Sequence, residues 1–113
     1  EIFERNGHDI YCDIPVSVTT AILGGEVEVP TLEGKTKIKI SEGTQSGKVL
    51  RLKDKGIKYA SHRGSEILTI KVETPTNLSS KQKELLKKFE ESLGDKNYSD
   101  SKSFFDKVKK FFK

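Results

Sequence analysis

The stretch GTQSGKVLRL, residues 43–52, holds the glycines and the lysine from which phosphate-binding loops are built. A P-loop needs four residues between its two glycines and a Ser or Thr after the lysine, because backbone amides then surround the phosphates and the hydroxyl binds magnesium. Only three residues separate Gly43 from Gly47, and Val49 follows Lys48. The residues that follow have a strand pattern, whereas a P-loop must open a helix. A glycine-bounded loop that leads into a strand is therefore predicted.

Cys12 and the two histidines are the other side chains with reactive chemistry. Cys12 alternates in phase with Ile10 and Ile14, so a buried thiol that fills the core is favoured over a nucleophile paired with His8. His62 lies in a polar segment without a partner base or nucleophile, which indicates a solvated loop histidine. One cysteine and two histidines are too few for an internal disulfide or a four-ligand zinc site. We expect no enzyme, no catalytic residue and no cofactor in this chain.

Charge is distributed unevenly along the chain. Residues 1–78 hold 11 basic and 11 acidic side chains, so the formal net charge of +4 comes from residues 79–113. A module that binds nucleic acid through this basic region is the alternative function, and its affinity would fall steeply with salt. The lysines Lys35, Lys37 and Lys39 do not support it, because no aromatic side chains stand between them to stack on bases. We therefore expect no nucleic-acid partner.

The termini and the apolar runs bear on cellular location. No apolar run approaches the roughly 18 residues of a membrane span, and the first residues lack a signal pattern. With a single cysteine, these features favour a reducing cytoplasmic location and no membrane partner. The opening EIFERNGHDI has no methionine and reads as an internal cut, so we expect a fragment of a longer protein.

Period-two alternation dominates the first two thirds of the chain. Strands are predicted over residues 10–18, 49–53 and 66–73, and a short helical turn closed by glycine over residues 21–25. The segment EVEVPTLEGKTKIKI predicts a hairpin. We expect a mainly β fold: a small, antiparallel, two-sheet, sandwich-like domain with one short internal helix and a C-terminal amphipathic helix.

Cross-strand pairing rules predict the register of this hairpin. A two-residue turn at Glu33 and Gly34 places Val29 opposite Ile38, Glu28 opposite Lys39 and Val27 opposite Ile40. Apolar residues then face apolar residues, and the acid faces a base. Pro30 predicts that its strand lies at a sheet edge or carries a local irregularity.

The last third of the chain reads as two amphipathic helices. Ser79 with Gln82 forms a capping box, and Gly94 is the predicted stop of a helix over residues 79–94. Residues 95–103 are predicted to be a flexible linker. Residues 104–113 form an amphipathic Phe/Lys tail, which is expected to pack against a partner subunit, its own core or a membrane surface.

Four segments, in this order, resemble the C-terminal portion of a bacterial DnaJ-type J-domain co-chaperone: FERNGHDIYCDIPV, AILGGEVEVPTLEGK, GTQSGKVLRLKDKGI and VETPTNLSSKQKELLKKFEE. The tail SKSFFDKVKKFF is similar to the class of this family that carries a zinc-binding module. The resemblance covers nearly the whole chain. It implies the second of two tandem β-rich client-binding domains, residues 1–78, followed by a dimerisation helix, residues 79–94.

The resemblance also implies a function. Such a protein binds unfolded or misfolded polypeptides, prevents their aggregation, forms a homodimer and delivers clients to a DnaK-type ATPase chaperone. The chain has no His-Pro-Asp tripeptide, no Gly/Phe-rich linker and no CxxCxGxG repeats. Contact with the DnaK-type chaperone would therefore be made chiefly by an upstream J-domain, and zinc would be held by an upstream module.

The resemblance assigns candidate dimerisation residues but no client-binding residues. The matching helix positions are Leu85, Leu86, Phe89 and Leu93, and the tail adds Phe104, Phe105, Phe111 and Phe112. The main client groove belongs to the preceding domain of the family, so this domain is expected to be a secondary site.

Overall fold

The computed structural model describes residues 2–112, and the chain divides into two compact units, residues 2–75 and residues 76–112. The first unit contains eight strands and one short helix within its described residues. They are β1 Glu4–Asn6, β2 Asp9–Ser17, α1 Val18–Leu23, β3 Gly25–Thr31, β4 Gly34–Ile40, β5 Val49–Leu52, β6 Lys58–Tyr59, β7 His62–Arg63 and β8 Glu66–Glu73. The second unit contains the helices α2 Ser80–Ser92 and α3 Ser99–Phe111, separated by a turn of 3-10 helix over Asp95–Asn97.

One four-stranded sheet, in the order β1-β2-β8-β5, forms the first layer of the β unit. Its central pair, β2 and β8, is parallel, and its register runs from Ile10 opposite Glu66 to Ser17 opposite Glu73. The pairs β1 with β2 and β5 with β8 are antiparallel. The mainly β prediction is confirmed, but the longest pair of this sheet is parallel rather than antiparallel. A parallel pair requires a long crossover, which here consists of residues 18–65.

The antiparallel hairpin of β3 and β4 forms the second layer, and its predicted register is wrong by two residues. Val27 lies opposite Ile38, and Glu28 lies opposite Lys37. The turn is formed by residues 32 and 33, and the Thr31 hydroxyl stabilises it by accepting a 3.2 Å hydrogen bond from the Glu33 N–H. A shift of two residues equals the period of a strand, so each side chain keeps its face: Val27 still faces an isoleucine and Glu28 still faces a lysine, whereas Val29 faces Thr36.

The hydrophobic core lies between the two layers. It is formed by buried side chains from the four-stranded sheet, from the hairpin and from α1: Cys12, Ile14, Val16, Leu68, Ile70, Val29, Ile38, Ile40 and Ala21. Each fully buried Ile, Leu or Val side chain stabilises the fold by about 1.5–3 kcal/mol. The two layers and their shared core agree with the predicted sandwich-like domain.

Helix α1 begins three residues earlier than predicted. The Ser17 hydroxyl accepts a 3.2 Å hydrogen bond from the Thr20 N–H and caps the helix, so the helix starts directly where β2 ends. Gly24 closes it with φ of 81° and donates its N–H to the Thr20 carbonyl at 2.7 Å. The glycine stop was therefore predicted correctly, whereas the serine cap was missed.

The segment expected to be a polar loop around His62 contains the short hairpin of β6 and β7. Tyr59 pairs with His62 in the hairpin and stacks on His8 with ring centroids 3.7 Å apart. Arg63 donates a 2.9 Å hydrogen bond to the Glu33 carboxylate, which ties this hairpin to the β3–β4 turn.

The segment between the two helices of the helical unit differs from the sequence prediction. The capping box of Ser79 and Gln82 is present, with N–H to oxygen distances of 3.2 and 2.8 Å. Helix α2 ends at Ser92 rather than at Gly94. The expected linker over residues 95–103 is instead a 3-10 turn followed by the first residues of α3.

Local hydrogen bonds explain this difference. Gly94 donates its N–H to the Asn97 side chain at 2.9 Å, and the Tyr98 hydroxyl donates to the Glu90 carboxylate at 3.2 Å. Lys102 forms an ion pair with Asp106, one helical turn later, at 3.6 Å. These polar residues therefore extend the amphipathic helix towards its N-terminus by stabilising it locally. The final residue of the predicted tail, position 113, lies outside the described residues. No helix within residues 2–112 is long and apolar enough to cross a membrane.

Candidate functional site

A groove of about 630 Å³ runs along the β unit between β2 and β3. Five consecutive residues of β2, 11–15, form one wall, and Val27, Glu28 and Pro30 of β3 form the other. Ile2 and Glu4 also line the groove. The groove is therefore bounded by two strands from different layers of the sandwich, at the side where the layers are open.

The β2 wall of the groove is a sheet edge. Strand β1 pairs only with residues 9–11 of β2, so beyond Tyr11 no described strand lies next to β2 on this side. The Ile10 N–H donates to the Ser65 carbonyl at 3.0 Å and so points towards β8. Because backbone groups alternate in direction along a strand, both the N–H and the carbonyl of Asp13 point to the open edge. Pro15 also faces that edge, where its lack of an N–H costs no ladder hydrogen bond.

The β3 wall is also a sheet edge, since β4 is its only described strand partner. The hairpin closes at Thr31 opposite Gly34. In a hairpin with a two-residue loop, the two residues that flank the loop form a hydrogen-bonded pair. Backbone groups alternate in direction along β3, so those of Glu28 and Pro30 point away from β4, to the open edge. The expectation that Pro30 marks an edge strand is confirmed. The two unpaired edges leave backbone donors and acceptors exposed along the groove, and the two prolines reduce the number of donors.

The charge of the groove comes from three carboxylates, those of Glu4, Asp13 and Glu28, and none of the described residues that line it is basic. Glu28 forms an exposed ion pair with Lys35 at 3.7 Å. The apolar part of the lining includes the buried Ile14 and the two prolines. The site thus combines an acidic rim with apolar walls and open backbone groups.

The residues considered for covalent chemistry do not form a reactive pair. Burial raises the pKa of the Cys12 thiol, and the nearby carboxylates of Glu66 and Asp13 raise it further, so the thiol stays protonated at neutral pH. The His8 ring stacks on Tyr59. No group of three or more His, Cys, Asp or Glu side chains within residues 2–112 is arranged to hold a metal ion.

The glycine-bounded loop uses its backbone amides inside the fold. Gly43 donates to the Ile22 carbonyl at 3.1 Å, Thr44 donates to the Ala21 carbonyl at 2.9 Å, and Gly47 donates to the Ile70 carbonyl at 2.7 Å. These N–H groups are the ones a phosphate-binding loop would direct at its anion. The loop therefore anchors α1 and β8 to each other and leads into β5.

The structure exposes seven of the eight candidate dimerisation residues, on or directly after two helices, and the eighth, Leu93, is half-buried. On α2, Leu85, Leu86 and Phe89 have 53%, 55% and 44% of their surface exposed, and Leu93 follows at the C-cap. On and directly after α3, Phe104 and Phe105 form one edge-to-face pair, and Phe111 and Phe112 form another. Neither helix contains a buried residue. Both apolar faces are thus free to pack against another surface.

Sequence reasoning missed Glu66, a buried acid at the start of β8. It is 0% exposed, and neither carboxylate oxygen has a hydrogen-bond partner among the described residues. Burial raises its pKa from 4.5 to about 6, and the charge of Lys55 opposes that shift. The signal was present in the sequence, because Glu66 is in phase with the core residues Leu68 and Ile70.

Two family models match this chain. The model described as DnaJ C terminal domain matches residues 1–75, and the model described as chaperone protein DnaJ C-terminal region matches residues 81–113. The chain belongs to the DnaJ family. The resemblance of its four segments to DnaJ is thereby confirmed.

Curated relatives of the chain agree with the family models. The chaperone protein DnaJ of Fusobacterium nucleatum is 56% identical over 115 residues, covering 100% of this chain and 29% of the relative. The DnaJ of Ruthia magnifica is 54% identical over 113 residues, and that of Burkholderia mallei is 50% identical over 116 residues; each alignment covers 98% of this chain and 31% of the relative. The chain spans just under a third of the length of these relatives and aligns with the C-terminal family models of DnaJ.

Proposed function

We propose that this chain is the client-binding and dimerisation part of a DnaJ-type co-chaperone. It holds unfolded or misfolded polypeptides, prevents their aggregation and, in the intact protein, delivers them to a DnaK-type ATPase chaperone in the cytoplasm. It needs no cofactor and catalyses no reaction; zinc and the ATPase-stimulating J-domain belong to upstream parts of the intact protein. The observation that carries the proposal is the groove between the open edges of β2 and β3.

Client binding is proposed to occur by strand addition. An extended polypeptide lying along β2 accepts a hydrogen bond from the Asp13 N–H and donates to the carbonyls of Asp13 and Pro15. Backbone hydrogen bonds of this kind do not depend on side-chain identity, so different clients can bind. The alternate side chains of the client point into the groove towards Ile14 and Val27, where apolar groups are favoured. Each hydrogen bond contributes only about 0.5–1.5 kcal/mol, so binding at a single groove is weak.

Dimerisation is proposed to compensate for this weakness. The occupant of the apolar faces of α2 and α3 is a second copy of this chain, because identical amphipathic helices bury each other's apolar faces in a closed, symmetric pair. Two grooves in one dimer raise the effective concentration of the second groove for a client already held at the first. Weak contacts then suffice to keep an aggregation-prone segment bound.

The strand-addition proposal is tested by removing one backbone donor. Asp13→Pro eliminates the N–H at the open edge while leaving the ladder with β8 intact, and Asp13→Ala is the matched control that keeps the N–H. Binding of a fluorescently labelled, uncharged extended peptide is measured by anisotropy, with thermal unfolding as the check of folding. We expect Asp13→Pro to weaken binding about fivefold to tenfold and Asp13→Ala to have little effect. Equal affinities of these two folded variants would refute strand addition at this edge.

A further inference from the structure

The short hairpin of β6 and β7 connects the two walls of the groove at one end. We propose that Arg63 of this hairpin is a positioning residue: through Glu33 it holds the edge of β3 at a fixed spacing from the edge of β2. This inference rests on the proposed client-binding function and adds to it the residues that keep the binding site in shape.

The path of the chain joins the two walls covalently at one end only. Strand β2 ends at Ser17, α1 follows at once, and β3 begins at Gly25, so residues 18–24 connect the walls there. At the opposite end, where β2 begins and β3 ends, no ladder joins the two strands, because they belong to different described sheets. The tip of the β3–β4 hairpin, residues 30–35, also contains no buried residue. Contacts with another segment must therefore hold the tip.

The strap, residues 55–64, supplies those contacts and is fixed firmly on the β2 side. The His8 carbonyl, just before β2, accepts a 2.8 Å hydrogen bond from the Ile57 N–H. The His8 ring stacks on Tyr59 with centroids 3.7 Å apart. Gly64 packs so closely on the His8 carbonyl that a Cβ atom would clash with it. Backbone hydrogen bonding and close packing thus attach the strap to the start of β2.

On the β3 side, the strap holds the hairpin tip through one carboxylate. Arg63 donates a 2.9 Å hydrogen bond to one oxygen of Glu33, and the Lys55 Nζ lies 3.8 Å from the other oxygen. The hydrogen bond and the charge of Arg63 lower the pKa of Glu33, and the charges of Lys55 and Lys58 lower it further. Glu33 is therefore ionised at neutral pH, and this attachment is electrostatic.

The difference between the two attachments has a consequence for binding. Loss of the pair between Glu33 and Arg63 frees the hairpin tip, while the strap stays attached to the start of β2. The edge of β3 then moves relative to β2, and a client strand must order the tip as it binds, which lowers affinity. Because salt screens the pair, even the affinity for an uncharged peptide should fall as salt rises.

The binding test uses the full chain and the fluorescently labelled, uncharged extended peptide. Affinity is measured by anisotropy at about 0.05 M and about 0.5 M salt for Glu33→Gln and Arg63→Gln. We expect each substitution to weaken binding about threefold to fivefold at low salt and to abolish the salt dependence that the wild-type chain shows. The two together should be no worse than either alone, since both break one contact.

Conservative and matched variants accompany these two, with thermal unfolding as the check of folding. Arg63→Lys keeps the positive charge and should recover most of the lost affinity. Glu26→Gln removes the same charge as Glu33→Gln from an exposed position on β3 that does not line the groove. It should bind the peptide like the wild-type chain and keep the salt dependence.

A distance measurement reports the spacing of the walls without any peptide. Spin labels are attached at Asn6→Cys, beside the start of β2, and at Leu32→Cys, in the hairpin tip, in a chain that also carries Cys12→Ala. Both labelled positions are exposed. The distance distribution between the labels should be narrow, should broaden with Arg63→Gln and should stay narrow with Glu26→Gln.

Each result supports or overturns a separate part of the proposal. If the two Gln variants weaken binding but leave the distance distribution narrow, the positioning role of Arg63 is refuted. If the distribution broadens and the affinity is unchanged, the spacing of the walls does not govern binding, and the link to client binding is refuted. Equal weakening by Glu26→Gln would assign the effect to overall charge. If the peptide does not bind the folded wild-type chain, the client-binding function is refuted, and the distances alone decide whether Arg63 positions the tip.

Discussion

The backbone N–H of Ser65 donates a 2.7 Å hydrogen bond to the carboxylate of Asp9, which lies 56 positions earlier in the chain. Next to it, the Ile10 N–H donates to the Ser65 carbonyl at 3.0 Å. The two bonds join the start of β2 to the start of β8 and so fix the register of the parallel pair at the end where it begins. The groove depends on this register, because β2 forms one of its walls.

Replacing Asp9 with Ala should therefore destabilise the β unit. The substitution leaves the Ser65 N–H, in a part-buried setting, without its acceptor, which costs about 1–3 kcal/mol of unfolding free energy. Asp9→Asn keeps an oxygen acceptor and should recover most of the loss. The measurement is urea unfolding followed by circular dichroism, with Asp13→Ala as the control, since Asp13 lies on the same strand and is exposed. Similar losses from Asp9→Ala and Asp13→Ala would contradict this role of Asp9.

Two glycines near the same junction should not tolerate a side chain. A Cβ atom on Gly56 would lie 2.5 Å from the His8 carbonyl oxygen and 2.6 Å from the Gly64 carbonyl carbon, and a Cβ atom on Gly64 would approach the His8 carbonyl still more closely. The obstructing atoms are backbone atoms, and the His8 carbonyl also accepts a 2.8 Å hydrogen bond from the Ile57 N–H. The three segments that meet here cannot separate without losing that hydrogen bond.

We expect Gly64→Ala to cost more than about 3 kcal/mol or to prevent folding. The matched control is Gly94→Ala, because a Cβ atom at Gly94 meets nothing within 4 Å. Yield of soluble chain and the midpoint of thermal unfolding are the measurements. A Gly64→Ala variant as stable as the wild-type chain would show that the close approach at His8 relaxes without cost.

Glu66 should make the stability of the β unit depend on pH. Its pKa is raised to about 6 by burial, so between pH 4.5 and 6 the folded state binds more protons than the unfolded state. Stability therefore falls as pH rises through this window, and below pH 4.5 the carboxyl is neutral in both states. A shift of this size corresponds to about 2 kcal/mol. The measurement is the unfolding free energy between pH 4.5 and 7.5.

Replacing Glu66 with Gln isolates this contribution, because the amide does not titrate. The stability difference between the wild-type chain and Glu66→Gln should change by up to about 2 kcal/mol across the window, with the wild-type chain relatively more stable at the acidic end. Glu73→Gln is the matched control, since Glu73 lies on the same strand but is exposed. Parallel pH profiles for the wild-type chain and Glu66→Gln would show that Glu66 titrates normally.

These elements also show how far the sequence predicts the fold. Alternation identified β2 and β8, and the Ser79 capping box identified the start of α2, because those signals come from residues close together in the chain. The hairpin register could not be derived in the same way. A slip of two residues keeps Val27 opposite an isoleucine and Glu28 opposite a lysine, so these pairings do not distinguish the two registers; the choice is made by the turn at Thr31 and Gly34. The parallel pairing of β2 with β8 depends on contacts across 56 positions, which no local pattern contains.

The groove was predictable only in part. Pro30 indicates an edge strand, and Pro15 carries the same signal within β2. Neither proline shows that the two edges lie side by side, because this depends on how the hairpin packs on the sheet. The spacing of apolar residues indicated the apolar stripes of α2 and α3, and most of these side chains are exposed in the structure. Their role in dimerisation remains a prediction.

Dimerisation through the helical unit predicts separate effects of substitutions on the two helices. The full chain should have the molar mass of a dimer in light scattering at about 50 µM. Leu85→Ser with Phe89→Ser removes two apolar side chains from α2, and Phe104→Ser with Phe111→Ser does the same on α3. Burying a Leu or Phe side chain contributes about 1.5–3 kcal/mol, so each double variant should weaken the dimer at least about a hundredfold if its helix lies in the interface.

Charge-neutral changes on the polar faces provide the controls: Lys87→Ser with Glu91→Ser on α2, and Asp106→Ser with Lys110→Ser on α3. Both controls should remain dimeric, because these side chains lie away from the apolar stripes. Loss of the dimer in one apolar variant alone would assign the interface to that helix and leave the other face for a different contact. A wild-type chain that is monomeric at this concentration would contradict dimerisation of the chain. The avidity argument would then fail, and a client would have to be held by the single groove between β2 and β3.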